Sequence, residues 1–188
     1  MDRIMALILA HQSPEGPFQV ITNIPTHFGG SGKDDWSWQL CDAPLLIYCL
    51  IKFWLKENER VQKGISYLIS LGRENGWPCV ASENLGRFHG PGRRDDPCPY
   101  ANLLMLKLVS LLPEYEMHPE IQNGVESALS LWEYSQSRSP YLFHMGTDFQ
   151  KLKAPLIWYN IVHLTEVLSH FTQARQDERF QDMLMKIT

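Results

Sequence analysis

Apolar positions along the chain follow two alternating patterns. After Asp42-Ala43-Pro44 comes L-L-I-Y-C-L-I-K-F-W-L, and after Pro99 comes Y-A-N-L-L-M-L-K-L-V-S-L-L. A third run, L-I-W-Y-N-I-V-H-L-T-E-V-L, follows Lys153-Ala154-Pro155. Each is apolar on most sides, which for a helix means burial on several faces. A proline in the first turn fits, since the N–H it lacks has no helical partner there. Pro44, Pro99 and Pro155 are almost evenly spaced, and Lys52, Lys107 and His163 each lie eight positions beyond one of them.

Between these runs lie segments with one apolar face. Val61, Ile65, Leu68 and Ile69 recur at helical spacing, and Ile121, Val125, Ala128 and Leu129 repeat them 60 positions later. Phe180, Leu184 and Ile187 form another copy, and Ile4 and Ile8 an earlier one. One-faced helices belong on the outside. The order predicts seven helices, outer and inner in turn, with one hairpin to each interval between prolines. An all-α domain over 1–188 follows, built of antiparallel helical hairpins in two layers. No strand is expected: Phe18 to Ile24 offers the best pattern, but it is short and runs into Pro25.

The joint at Gly86 to Leu112 carries the densest chemistry, a Gly/Pro/Arg/Asp loop emptying into the second inner helix. There Asp96 is expected to cap the helix, with Pro97 and Pro99 in its first turn. A net charge of -4 gives no electrostatic reason to expect nucleic acid. The four cysteines, Cys41, Cys49, Cys79 and Cys98, form no C-x-x-C pair and read as thiols in a reducing compartment. With no run long enough to span a membrane and no signal-peptide pattern at the start, a cytoplasmic protein is expected.

A glycine–aromatic signal recurs where outer helices end: Gln12-Ser13-Pro14-Glu15-Gly16-Pro17-Phe18, then Glu74-Asn75-Gly76-Trp77-Pro78, then a looser Gln136 to Pro140 with Tyr141 and Phe143. The first resembles the Q-x-x-x-G-x-W repeat of squalene and terpene cyclases, with Phe18 in the tryptophan place. Together with the helix alternation, the chain resembles the α/α-toroid superfamily of terpenoid cyclases and protein prenyltransferases. The resemblance implies a partial ring of about three and a half hairpins, a homodimer that closes it, and an apolar small molecule such as an isoprenoid or lipid at its mouth.

In such a toroid the loops entering the inner helices gather at one opening. They contribute Asp34, Asp35, Trp36 and Trp38, then His89, Arg93, Arg94, Asp95, Asp96 and Cys98, then His144, Asp148, Lys151 and Lys153. The candidate catalytic acids are Asp35, Asp95, Asp96 and Asp148; the candidate ligand-binding residues are Trp36, Trp38, Arg93, Arg94, Tyr100, His144, Lys153, Trp158 and Tyr159. Asp96 and Cys98 match the Asp-x-Cys of prenyltransferase zinc sites, which implies zinc with a histidine from elsewhere; the alternative is a helix cap beside a small buried thiol. Proton-initiated cyclases carry a D-x-D-D acid motif, of which this chain has only the two-residue pairs Asp34-Asp35 and Asp95-Asp96. Two alternatives remain open: a carbohydrate-active toroid using separated acids beside tryptophans, and a repeat module that binds another protein without catalysis. Lumen polarity separates the ligand classes, since a greasy lumen suits an isoprenoid and a wet one suits a sugar.

Overall fold

Helices dominate the structure, a computed structural model that describes residues 2–88, 93–134, 149–151, 153–155 and 159–187. Among these residues are eight α-helices and one two-stranded sheet. The chain divides into two compact units, Met1–Leu71 with Cys79–Gly90, and Gly72–Pro78 with Pro91–Thr188.

The first unit holds α1 (Asp2–Ala10), β1 (Val20–Thr22), β2 (Asp35–Ser37), α2 (Ala43–Lys52) and α3 (Glu59–Ser70). α2 packs against α3. The Asn58 side chain accepts the Arg60 N–H and so starts α3, which buries Val61, Ile65, Leu68 and Ile69 as their spacing predicts. α2 begins with proline as expected and buries Ile47 and Leu50, but Cys49 is exposed. Two expectations fail in this unit. A strand does form within Phe18 to Ile24: Val20↔Ser37 and Thr22↔Asp35 pair antiparallel. Strands this short cannot display a period of two. In α1 the half-buried side is Met5, Ile8 and Leu9, whereas Ile4 is 60% exposed. The face is set by the 5, 8, 9 spacing, not by Ile4.

The glycine–aromatic segment of this unit clasps the start of α3. The Gln12 side-chain amide donates to the carbonyls of Gly16 and Arg60, both at 2.6 Å, and its oxygen accepts Arg60 Nε at 3.0 Å. Gly16 has φ 137°, and a Cβ there would lie 2.9 Å from the Lys63 carbonyl oxygen. Phe18 is fully buried behind it. A residue with any side chain would hold the turn off the helix.

The second unit holds α4 (Pro99–Val109), α5 (Pro119–Glu133), α6 (Ile161–Leu168), α7 (Thr172–Arg175) and α8 (Glu178–Met185). α4 packs on α5 and α6, and α8 packs on α5 and α6. α4 buries Ala101 through Leu106 together with Leu108 and Val109, as an inner helix should. α5 turns Ile121, Val125, Ala128 and Leu129 inward.

Three expectations are corrected here. Helix α4 takes Cys98, not Asp96, as its N-cap residue, with Pro99 in the first turn. The Asp96 carboxylate instead accepts the Arg93 N–H at 3.0 Å and closes its own loop. In the third apolar run α6 starts at Ile161 and not in the turn after Pro155, because the Asn160 side chain accepts the His163 N–H at 3.1 Å and caps the helix there. On α8 the inward pair is Phe180 and Met183, three apart, while Leu184 and Ile187 are each 37% exposed.

Candidate functional site

The head of α4 is stitched to the second glycine–aromatic turn. Arg73 and Gly76 exchange backbone hydrogen bonds of 3.2 and 3.0 Å, closing the turn. Gly76 has φ 98°, and a Cβ on it would stand 2.7 Å from Asn102 Oδ1 and 2.8 Å from the Ser127 side chain. Only glycine lets the turn lie this close to α4 and α5. From this turn Arg73 Nη1 donates to the Arg94 carbonyl at 2.9 Å and Asn75 Nδ2 to the Asp95 carbonyl at 2.7 Å. The Cys98 N–H donates to the Trp77 carbonyl at 2.8 Å, and Pro78 pairs with Pro97. These side-chain and backbone bonds together fix the chain from Arg94 to Cys98.

Trp77, fully buried, anchors the turn. Its N–H donates to Asn102 Oδ1 at 3.2 Å, and Asn102 Nδ2 donates to the Gly124 carbonyl at 2.8 Å. The ring lies against Gly124, where a Cβ would fall 2.4 Å from Trp77 Cζ3. One buried amide therefore joins the turn, α4 and α5.

Between this turn and α5 opens a cleft of about 330 Å³. Glu74, Asn75, Asp96 and Pro97 form one wall; Asn123, Glu126, Ser127, Ser130, Leu131 and Tyr134 form the other. Glu126 is bound by Arg179 through two contacts of 2.8 Å and accepts the Ser130 hydroxyl at 2.8 Å. The Arg179 hydrogen bond, above all, holds its carboxyl below the usual range. The Ser127 hydroxyl is buried and has no hydrogen-bond partner among the described residues. Carboxylates accept, amides do both and hydroxyls do both, so the walls offer polar contacts beside the apolar surface of Pro97, Leu131 and Tyr134.

Of the expected site residues that the structure describes, Asp96 alone lines this cleft. Asp95 is fully exposed and meets Arg73 at 3.8 Å. Arg93 and Arg94 are exposed, and Tyr100 and Lys153 are half-buried. Tyr159 is buried near Cys98, its ring tilted 42° against Phe149 with centroids 5.0 Å apart, a core position. Burial first, and the neighbouring Cys98 second, push its phenol pKa up. Asp148, His144 and Trp158 lie outside the described residues, as does His89.

Asp35, Trp36 and Trp38 belong to the first unit. Asp35 accepts Asn84 Nδ2 at 2.9 Å. Trp36 stacks on His11 with centroids 3.4 Å apart, and its carbonyl accepts Gln19 Nε2 and Asn84 Nδ2. Trp38 is buried edge-to-face with Tyr67, a packing position.

For zinc, Asp96 and Cys98 supply two donors, and among the described residues no group of three His, Cys, Asp or Glu side chains is placed to hold a metal ion. Lys107 and His163, matched in sequence register, do meet: Lys107 Nζ lies 2.8 Å from His163 Nε2 and 4.0 Å from Glu166. Lys52 instead lies over the Tyr48 ring, 5.6 Å from its centroid.

Sequence reasoning passed over the α5 wall. Asn123, Glu126, Ser127, Ser130 and Tyr134 fall at i, i+3, i+4, i+7 and i+11, a polar stripe that reads as the solvated back of an outer helix. No protein-family model matches this chain, and comparisons with curated proteins and with solved structures find no match.

Proposed function

We propose that the chain is a helical-hairpin repeat protein of the α/α-toroid kind, and that the cleft at the head of α4 binds a small hydroxyl-rich molecule such as a sugar. The repeat reading is supported by a contact that recurs within each unit. The interval from Gly16 to Gly76 equals the interval from Gly64 on α3 to Gly124 on α5. In each unit the turn glycine comes within Cβ range of the outer helix, and the helix glycine faces the inner-helix residue three beyond its proline, Ile47 or Asn102. A second copy that completes the ring is part of this reading, and a monodisperse monomer by light scattering would remove that part.

The observation that carries the ligand class is the lining. Glu74, Asp96 and Glu126 with Asn75, Asn123 and Ser130 present acceptors and amide donors suited to several hydroxyls at once. The Tyr134 ring and Leu131 offer an apolar patch against which a sugar face packs. An isoprenoid tail would make none of the hydrogen bonds that these carboxylates, amides and hydroxyls offer and would strip water from them.

The test is saturation-transfer NMR of the full chain against a panel of mono- and oligosaccharides, with an isoprenyl diphosphate alongside. A sugar is expected to bind, and Asp96→Asn or Asn75→Ala to weaken it by roughly 10-fold or more, the scale of a lost charge-assisted hydrogen bond. Asp95→Ala, outside the cleft, should bind as the parent does. Saturation transfer from the isoprenoid alone would overturn the proposal.

A further inference from the structure

The cysteines at positions 41 and 79 are far apart in sequence, yet within the first unit they flank one hydrogen bond. Gln39 pairs antiparallel with Ala81, the Leu40 N–H donates to the Val80 carbonyl at 2.9 Å, and the Ser82 N–H donates to the Trp38 carbonyl at 2.9 Å. The pairing ends at the Leu40–Val80 hydrogen bond, and residues 41 and 79 are each one step beyond it, close enough for the Cys79 thiol to act on Cys41. A ladder carried one step further would place their Cα atoms about 4.5 Å apart, at the near end of the roughly 4.4–6.8 Å span that a disulfide bridges. The chain turns at this point, with the Asp42 N–H on the Gln39 carbonyl at 3.0 Å, so Cys41 sits at the end of the pairing and not in a rigid ladder. Both side chains are half-buried, within reach of a small oxidant. Cys49 is exposed on α2, and Cys98 heads α4 in the second unit.

We infer that Cys41 and Cys79 are a thiol pair that closes reversibly to a disulfide when met by a small disulfide oxidant such as oxidised glutathione. The inference is independent of the ligand proposed above. The two thiols already influence each other: burial first, then Asp42 and Cys79, push the Cys41 thiol up to about 12. A thiol so placed is a poor first attacker at neutral pH. Cys79 therefore opens the reaction. Its thiolate attacks the oxidant, forming a mixed disulfide and releasing one glutathione thiolate. Cys41 then loses its proton and displaces the second glutathione thiolate, forming the Cys41–Cys79 bond. Two protein thiols are oxidised and one glutathione disulfide is reduced to two glutathiones. The bond straps the segment carrying Trp36 and Trp38 to the segment that follows Pro78.

The experiment is equilibration of the native full chain in reduced and oxidised glutathione buffers, acid quench, alkylation and mass counting. All four thiols should alkylate when reduced and two when oxidised. Digestion at Asp, Lys and Arg cuts before Asp42 and so separates Cys41 from Cys49; the oxidised sample should yield peptide 35–41 joined to peptide 74–87. The parent protein alone decides the pairing, and Cys41→Ser should show three alkylatable thiols when reduced and, when oxidised, no bond between two protein cysteines, any thiol lost being Cys79 carrying glutathione. Four alkylated thiols throughout, or a bond from Cys49 or Cys98, would overturn the inference.

Discussion

Replacing Gly124 by alanine tests the contact on which the second unit is built. The new Cβ would lie 2.4 Å from Cζ3 and 3.1 Å from Cε3 of Trp77, whereas ordinary contact begins at 3.4 Å. The ring must therefore withdraw by about 1 Å, or α5 must. Trp77 has little room to do so, because its N–H is held by Asn102 and its carbonyl by the Cys98 N–H. Overpacking of this kind costs roughly 1–3 kcal/mol, and alanine's better helix propensity offsets about 1 kcal/mol. An overlap of about 1 Å on a held ring takes the upper part of that range, about 2–3 kcal/mol. A net loss of about 1–2 kcal/mol is therefore expected, or a fall in Tm of roughly 2–4 °C per kcal/mol for a chain of this size. Gly64→Ala is the matched comparison. Its Cβ would lie 2.8 Å from Ile47 Cδ1, the movable end of a side chain, and 3.0 Å from the Gly16 carbonyl oxygen. Its net effect should be about 1 kcal/mol or less. Urea titration followed by tryptophan fluorescence and far-UV circular dichroism measures both. A Gly124→Ala protein as stable as the parent, or less perturbed than Gly64→Ala, would refute the reasoning.

Two further outcomes follow from the same packing. Asn102→Leu leaves the Trp77 N–H without its acceptor and the Gly124 carbonyl without its amide donor, both buried, at about 1–3 kcal/mol for an unsatisfied group; a loss under about 0.5 kcal/mol in urea unfolding would show that the amide is not the tie its geometry implies. Arg179→Met should reduce stability at pH 7 by about 1 kcal/mol or less, since the Arg179 network is partly exposed. The sign with pH follows from Glu126 and Asp177, whose carboxyls Arg179 holds below their ordinary values of 4.5 and 3.8. Carboxyls lowered on folding add stability that is complete above those values and fades as pH falls through the lower folded ones. The gap between parent and Arg179→Met should therefore shrink at pH 3, and an equal gap at pH 3 and pH 7 by urea titration would contradict it.

Much of the helical layout was legible because burial and periodicity are the same fact seen twice. Val61, Ile65, Leu68 and Ile69 line one face in sequence and one buried face in α3, and the all-round apolar run after Pro99 became the most buried helix. What escaped were features set by contacts distant in sequence. The short strands exist because Val20 meets Ser37, and no local pattern announces that pairing. Asp96 reads as a helix cap by its position ahead of two prolines, but pairing of Pro78 with Pro97 keeps the chain extended one step longer and leaves the cap position to Cys98. Asn160, buried in an otherwise apolar run, carried the true start of α6, and its cap chemistry was outweighed by the match of Pro155 to the earlier prolines.

The cleft was half legible for a related reason. Its loop wall drew attention because acids beside prolines at a helix head stand out, whereas Asn123, Glu126, Ser127 and Ser130 lie on a helix face whose polarity needs no explanation when solvent is assumed behind it. A finer signal was present: Gly124 interrupts that helix among good helix formers, and the step to it from Gly64 equals the step from Gly16 to Gly76. A glycine inside a helix costs about 1 kcal/mol against alanine, so its recurrence at the spacing of the turn glycines asks for a close neighbour. That neighbour is the turn itself. With the Gly76 turn seated on α5, Glu74 and Asn75 must face the next turns of the same helix, and the polar stripe from Asn123 to Tyr134 becomes a wall instead of a solvated back.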